Sequence, residues 1–222
     1  MGETEQEHSF LFADMAGFTA LTEAMGDVDA VEVAEGFFND ARGLLADHHA
    51  EEVKTIGDAL MIRGDDAAAT IRLGLCLVYD VGASHRFPNV RVGIHTGAAI
   101  RRGDDWFGAT VNLAARVSGA AAGDQVLLTE ATRSAADGLE GVDLIEHGRV
   151  ELRNISAPVM LYRALRSGEA RESLPIDPVC RMAIDPDRSA GTLIHAGSEY
   201  HFCSLGCVER FARDPERYAA AA

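Results

Sequence analysis

Residues 51–63 read EEVKTIGDALMIR. Glu51–Ile56 and Ala59–Arg63 are two strand-like runs around Gly57-Asp58, and that dipeptide is a strong short-range hairpin signal. On the N-terminal side, Asp29–His49 places Val31, Val33, Phe37, Phe38, Leu44 and Leu45 at spacings that suit an amphipathic helix. Before it, Ser9–Asp14 (SFLFAD) reads as a short buried strand ending on a carboxylate, followed by a Gly turn and a short helix in MAGFTALTEAMG. On the C-terminal side, the pattern predicts a helix over Asp65–Tyr79 and a strand over Val90–His95. The chain then returns through Gly97 and Arg101 to Asp105. A helix follows over Gly108–Val117, then a strand over Gln125–Thr129 and a short helix. Arg149–Leu152 and Val159–Ala164 read as closing strands. A hairpin set between helices argues for an α+β sheet rather than a doubly wound one.

The chain has 222 residues, enough for one medium domain and a small one. Its 20 basic and 35 acidic residues give a formal net charge of −15. That field repels phosphate backbones and anionic lipids, so neither a nucleic acid nor a membrane surface is an expected partner. No apolar run approaches the roughly 20 residues of a membrane-spanning helix. The acidic start, Met1–His8, lacks the basic and apolar regions of a signal peptide, so a cytoplasmic protein is expected. The polar stretch around RSGEARESLP divides the sequence. Residues 1–166 form the expected main domain, 167–175 a linker, 176–218 a second domain and 219–222 a tail. Cys180, Cys203 and Cys207 all fall in the second domain, a clustering that points to metal or redox chemistry in a reducing compartment.

The segments FADMAGFT, VKTIGDALM, RRGDDWFGATVNLAAR and VELRNISAPV together resemble the class III adenylyl/guanylyl cyclase catalytic domain. The resemblance covers roughly residues 8–166. It implies a ferredoxin-like, palm-related α+β core and a head-to-tail homodimer with two shared active sites. It also implies ATP as substrate and two Mg²⁺ or Mn²⁺ ions per site, held by Asp14 and Asp58. Hard cations favour such oxygen ligands and leave positions for phosphate. Ala16, Gly17, Phe18 and Thr19 are candidates for the triphosphate, because a helix start offers free N–H groups. By resemblance Lys54 and Asp105 read the purine. An ammonium donating to N1 and a carboxylate accepting from N6 suit adenine, whereas guanine presents a carbonyl and a protonated N1. Lys54 is also the only lysine in the chain. Asn112 and Arg116, four apart on a predicted helix, are the expected ribose and α-phosphate residues. Arg153 is the expected contact to the terminal phosphates. His95, at a strand end before a Gly turn, reads as structural.

The second domain, DPVCRMAIDPD…YHFCSLGCVERFARDPERY, resembles the YHS domain, including Tyr200, His201 and Ser204. Thiolates at Cys180, Cys203 and Cys207 suit Zn²⁺ or Cu⁺, and Met182 favours copper. With three cysteines, the fourth ligand is His195, His201, Met182 or water. The whole reads as an adenylyl cyclase making 3′,5′-cyclic AMP, with metal or redox state modulating it through the small domain. The alternatives are a silent nucleotide-binding module, and a metal-binding protein that uses the cyclase domain as a dimerising scaffold.

Overall fold

The structure, a computed structural model, describes residues 6–82, 90–168, 175–180, 184 and 186–219. The main unit runs β1 (Gln6–Met15), α1 (Phe18–Met25), α2 (Asp27–Leu45), β2 (Ala50–Ile56), β3 (Ala59–Gly64) and α3 (Ala67–Cys76). It continues with β4 (Val90–Arg102), β5 (Asp105–Phe107), α4 (Ala109–Ala120), β6 (Val126–Thr129), α5 (Glu130–Ala135), β7 (Val142–Val150) and β8 (Val159–Arg166). The eight strands make one sheet in the order β2-β3-β1-β4-β6-β8-β7, with β5 paired to β4 off that path. β4 and β6 are parallel and the other pairs antiparallel. This is the α+β class expected from the sequence.

β1 lies between β3 and β4, and its two faces are both covered. Leu11, Ala13 and Met15 join Phe37, Leu60, Ile62, Ile71, Val92 and Ile94 in the core beneath α2 and α3. Phe10 and Phe12 point the other way, into a smaller core with Met61, Ala99, Trp106, Val111 and Ala114 of α4. Double coverage is why SFLFA is a continuous apolar run rather than an alternating one. The parallel step from β4 to β6 needs a crossover, and α4 supplies it. That helix lies directly on its strand: a Cβ at Gly93 would sit 1.9 Å from the Ser118 nitrogen.

Three boundaries differ from the sequence reading. β1 begins at Gln6 rather than Ser9, and β4 runs on through Gly97 to Arg102 rather than ending at His95. The cause is mutual pairing, which continues from Met15↔Val90 to Gln6↔Ala99 and overrides the local Gly signal. The first closing strand is Val142–Val150, not Arg149–Leu152. It is the edge strand of the sheet and is mostly exposed, so its apolar pattern is weak. Leu152 is buried outside a strand, against Val117, Leu127 and Leu161.

The C-terminal unit contains the hairpin β9 (Gly191–His195) and β10 (Ser198–Phe202), then α6 (Leu205–Arg213) and α7 (Pro215–Ala219). Its turn residues Ala196 and Gly197 have φ of +50° and +84°. Two successive positive φ values suit a tight hairpin. Val179, Cys180, Phe202, Cys207 and Phe211 form its core, and Ala24 of α1 packs against that core. Arg217 Nη2 lies 3.9 Å from Glu23 Oε2 of the same helix. Residues 169–174 of the expected linker, 220–222 of the expected tail and Met182 lie outside the described residues.

Candidate active site

Asp14 sits near the end of β1, opposite Ala59 in register, and Asp58 occupies the β2–β3 turn just before Ala59. Neighbouring strands therefore bring the two carboxylates together. Burial, reinforced by the Asp14 charge and a hydrogen bond with Asp14, pushes the Asp58 carboxyl up to about 6. Two acids close enough to compete for a proton are suited to share a cation. The donor set, all carboxylate oxygen and partly open, fits Mg²⁺ or Mn²⁺. The structure also puts a cation here that the sequence reading missed. Arg91, at the start of β4 and opposite Asp14, donates from Nε to Asp14 Oδ2 at 2.8 Å, and its Nη2 reaches the same oxygen. The one available signal was Arg91 at the end of a strand that pairs with β1. Gly17, with φ of +92°, ends the loop after β1 and receives the Leu21 N–H on its carbonyl at 3.0 Å. Ala16, Gly17, Phe18 and Thr19 make that turn into α1, with the Phe18 side chain packed on the main core. Their backbone, not the Phe18 ring, is what they can offer an anion.

A second cluster forms where β2 meets the β4–β5 hairpin. Lys54 Nζ donates to Asp105 Oδ2 at 2.5 Å. This ammonium holds the Asp105 carboxyl below the usual carboxylate range. Asp105 Oδ1 also accepts from the Trp106 N–H at 2.8 Å, which fixes the carboxylate plane. Asp104, the neighbouring carboxylate, is fully solvent-facing and lies 3.9 Å from Arg101. Phe107 is 48% exposed beside Lys54, whose Nζ is 5.7 Å from the ring centroid. The site thus presents a donor, an acceptor and an open aromatic face. Asn112 and Arg116 project from the exposed side of α4, while Val111, Ala114 and Val117 of the same helix face inward. Arg153 lies in the exposed turn between β7 and β8 rather than on a strand. His95 Nδ1 is 2.7 Å from Thr129 Oγ1, and burial lowers its pKa. It lies within β4 rather than at the strand end expected of it, held there by a side chain of β6.

In the small unit, Asp177, Cys180, Cys203 and Cys207 place one ligand atom each within 4.8 Å of one another. Cys203 Sγ lies 3.3 Å from Cys180 Sγ and 3.7 Å from Cys207 Sγ. Ser204 caps α6 by accepting the Cys207 N–H, so the helix start holds Cys207 against the other thiols. Asp177 is fully buried, and it accepts from the N–H groups of Val179, Cys180 and Cys203. The fourth member of the cluster is thus Asp177, not His195 or His201. The sequence reading passed over it because cysteine spacing, not a carboxylate three residues upstream, carried the pattern.

Residues 2–163 match the family model described as the adenylate and guanylate cyclase catalytic domain, and residues 176–222 match that of the YHS domain. The pH-sensitive adenylate cyclase MT1302 of Mycobacterium tuberculosis is 37% identical over 158 residues, 70% of this chain and 40% of that protein. An adenylate cyclase of Streptomyces griseus is 36% identical over 137 residues, 62% of this chain and 32% of that protein. The chain therefore spans well under half the length of these relatives. The adenylyl cyclase CyaB of P. aeruginosa shares the fold, with a TM-score of 0.68 at 21% identity over 78% of this chain and 100% of that one. An adenylate cyclase from Trypanosoma brucei superposes with a TM-score of 0.65 at 26% identity, over 75% of this chain and 91% of that one.

Proposed function

The chain belongs to the adenylate and guanylate cyclase catalytic family and carries a YHS domain after it, and on that premise we propose that it converts ATP to 3′,5′-cyclic AMP and pyrophosphate. The observation that carries the choice of adenine is the Lys54–Asp105 pair. Separated by a purine edge, an ammonium donor and a carboxylate acceptor match N1 and the N6 amino group, and the same pair would set Asp105 against the guanine carbonyl. The relatives named as adenylate cyclases support the same choice.

Asp14 and Asp58 would hold two divalent ions. When bound, these ions supply charge stabilisation at the attacking 3′-oxygen and the leaving pyrophosphate. With those ions bound, Arg91 would be free to face the triphosphate as a cation, alongside Arg153 and the neutral N–H donors of the Ala16–Thr19 turn. Asn112 orients the ribose. Arg116, always charged and planar, stabilises the charge that builds on the α-phosphate. Asp14 and Asp58 come from one protomer of a homodimer and Lys54, Asp105, Asn112 and Arg116 from the other. The exposure of Asn112 and Arg116, on a helix whose other face is packed on the sheet, supports that division of labour.

The deciding assay is cyclic nucleotide formation from ATP or GTP with Mn²⁺, run beside Asp58→Ala and the double variant Lys54→Glu/Asp105→Ser. The expected result is ATP-specific product, lost in Asp58→Ala, with ATP kcat/KM lowered at least 100-fold in the double variant by loss of two charge-assisted hydrogen bonds. A folded dimer that binds ATP and releases no product would make it a silent regulatory module.

A second reading concerns the small domain. Three thiols and a buried carboxylate favour Zn²⁺ over Cu⁺, because Cu⁺ prefers a wholly soft donor set. The contact of Ala24 and Glu23 with this domain offers a route from its metal or redox state to α1, the helix that follows the Gly17 turn. Zn²⁺ titration that changes neither turnover nor dimerisation would remove this coupling.

A further inference from the structure

Against Trp106, the neighbour of Asp105, lies a buried imidazole that the reaction does not use. His8 is 3% exposed, in the first half of β1. Its ring meets the Trp106 ring edge-on, with centroids 4.7 Å apart. Trp106 is the only tryptophan in the chain, is itself buried, and is the residue whose backbone N–H holds Asp105 Oδ1. Arg63 on β3 completes the group. Its Nη1 lies 2.9 Å from His8 Nδ1, and its guanidinium carbon is 5.5 Å from the Trp106 ring centroid.

A guanidinium can only donate, so its 2.9 Å contact with Nδ1 suits the neutral ring carrying its proton on Nε2, although the same Nη1 also lies 3.3 Å from Nε2. A protonated ring would lose that acceptor and place an imidazolium against the guanidinium. An alternative partner is already in place: Asp65 Oδ1 is 3.1 Å from the same Nδ1. Nδ1 thus lies within reach of both groups at once, able to accept from Arg63 when the ring is neutral and to donate to Asp65 when it is charged. The charged groups facing it are Arg63 of β3, Asp65 just beyond β3, and Glu51 of β2, which accepts from Arg63 Nε at 2.9 Å.

Resting on the adenylyl cyclase reading, we infer that His8 is a positioning residue for adenine recognition: in its neutral form it holds Arg63 and Trp106 so that Asp105 is aimed at the base, and its protonation loosens that aim. Burial first, then the Arg63 charge, lower the His8 pKa, so the change falls on the acid side of an ordinary histidine. It is a loss of ATP affinity in acid, read in KM rather than kcat, because no reacting atom is touched.

The sole tryptophan makes this directly measurable, since an imidazolium quenches an adjacent indole more than a neutral imidazole does. Intact protein is titrated from pH 8 to 5 with Trp106 fluorescence as one readout. Steady-state kinetics and calorimetric ATP affinity at saturating Mn²⁺ are the others. The expected result is a fluorescence step below pH 6.5 and a rise of about tenfold in KM for ATP along the same step. His8→Asn keeps an acceptor for Arg63 and cannot be protonated, so it removes the fluorescence step and the part of the KM rise that follows it. His8→Phe keeps the ring contact without the acceptor and raises KM at every pH. The Asp58 acid limb is common to wild type and variants, so the difference between them isolates His8. Absence of the fluorescence step, or a step that leaves ATP affinity unchanged, overturns the proposal. If the variants unfold, these two readouts on the wild-type protein decide alone. A protein that makes no cyclic AMP, yet shows the step with the fall in ATP affinity, overturns the cyclase reading and leaves the His8 role standing.

Discussion

Asp58 shows most clearly how one side chain is set up for its task. Its carboxyl is pushed from an ordinary 3.8 to about 6 by burial and by Asp14. In the metal-free protein the folded state therefore binds this proton more tightly than the unfolded chain does. That contribution to stability is full below the unfolded pKa and is lost as the pH rises through about 6. A divalent ion needs the proton gone. The rise in Tm produced by Mn²⁺ should accordingly grow between pH 5 and pH 7, and should be largely lost in Asp58→Ala. Differential scanning fluorimetry across that range checks both. The carboxylates were legible in the sequence because each ends a strand or fills a hairpin turn at recognisable spacing. Arg91 and Asp177 were not, because each acquires meaning only from a partner far along the chain: Arg91 from Asp14 by strand pairing, Asp177 from the Cys203 N–H across a turn.

Elements that bury a patterned face were the readable ones. β1, β3, α2 and α4 all form over the apolar runs that marked them, because each packs against the sheet core, though β1 begins earlier than its run. β7 was misplaced because an exposed edge strand carrying Asp143, Glu146, His147 and Arg149 gives little apolar alternation to read. The continuation of β4 beyond Gly97 was hidden for a different reason: it depends on β1 and β5 as partners. Gly93 tests how closely elements fit. A methyl group there meets the α4 backbone at Ser118, which cannot yield by rotating a side chain. Gly93→Ala should cost about 2–4 kcal/mol and lower Tm on the order of 10 °C. Gly43→Ala, in α2 with no atom within 4 Å of the new carbon, should instead raise stability by up to about 1 kcal/mol. Thermal melts of the pair separate steric conflict from helix propensity.

At the scale of the whole molecule, the proposed site is complete only when two copies meet. Asp58→Ala and Arg116→Ala proteins should each be inactive, yet mixed they should recover activity. Random pairing makes half the dimers mixed, each with one intact site, so recovery should approach about a quarter of wild type. Activity that never returns on mixing would place all the groups within one chain. The close seating of α4 on β4 has a mechanical consequence for such a dimer. β4 carries Arg91 at one end and leads into the Asp105 hairpin at the other, and α4 carries Asn112 and Arg116. With no gap between strand and helix at Gly93, these four residues ride on one stiff lever. In the proposed dimer that lever would join the two sites, because Arg91 faces the Asp14 of its own chain while Asp105, Asn112 and Arg116 serve the other site, so a shift at one would be passed rigidly to its twin.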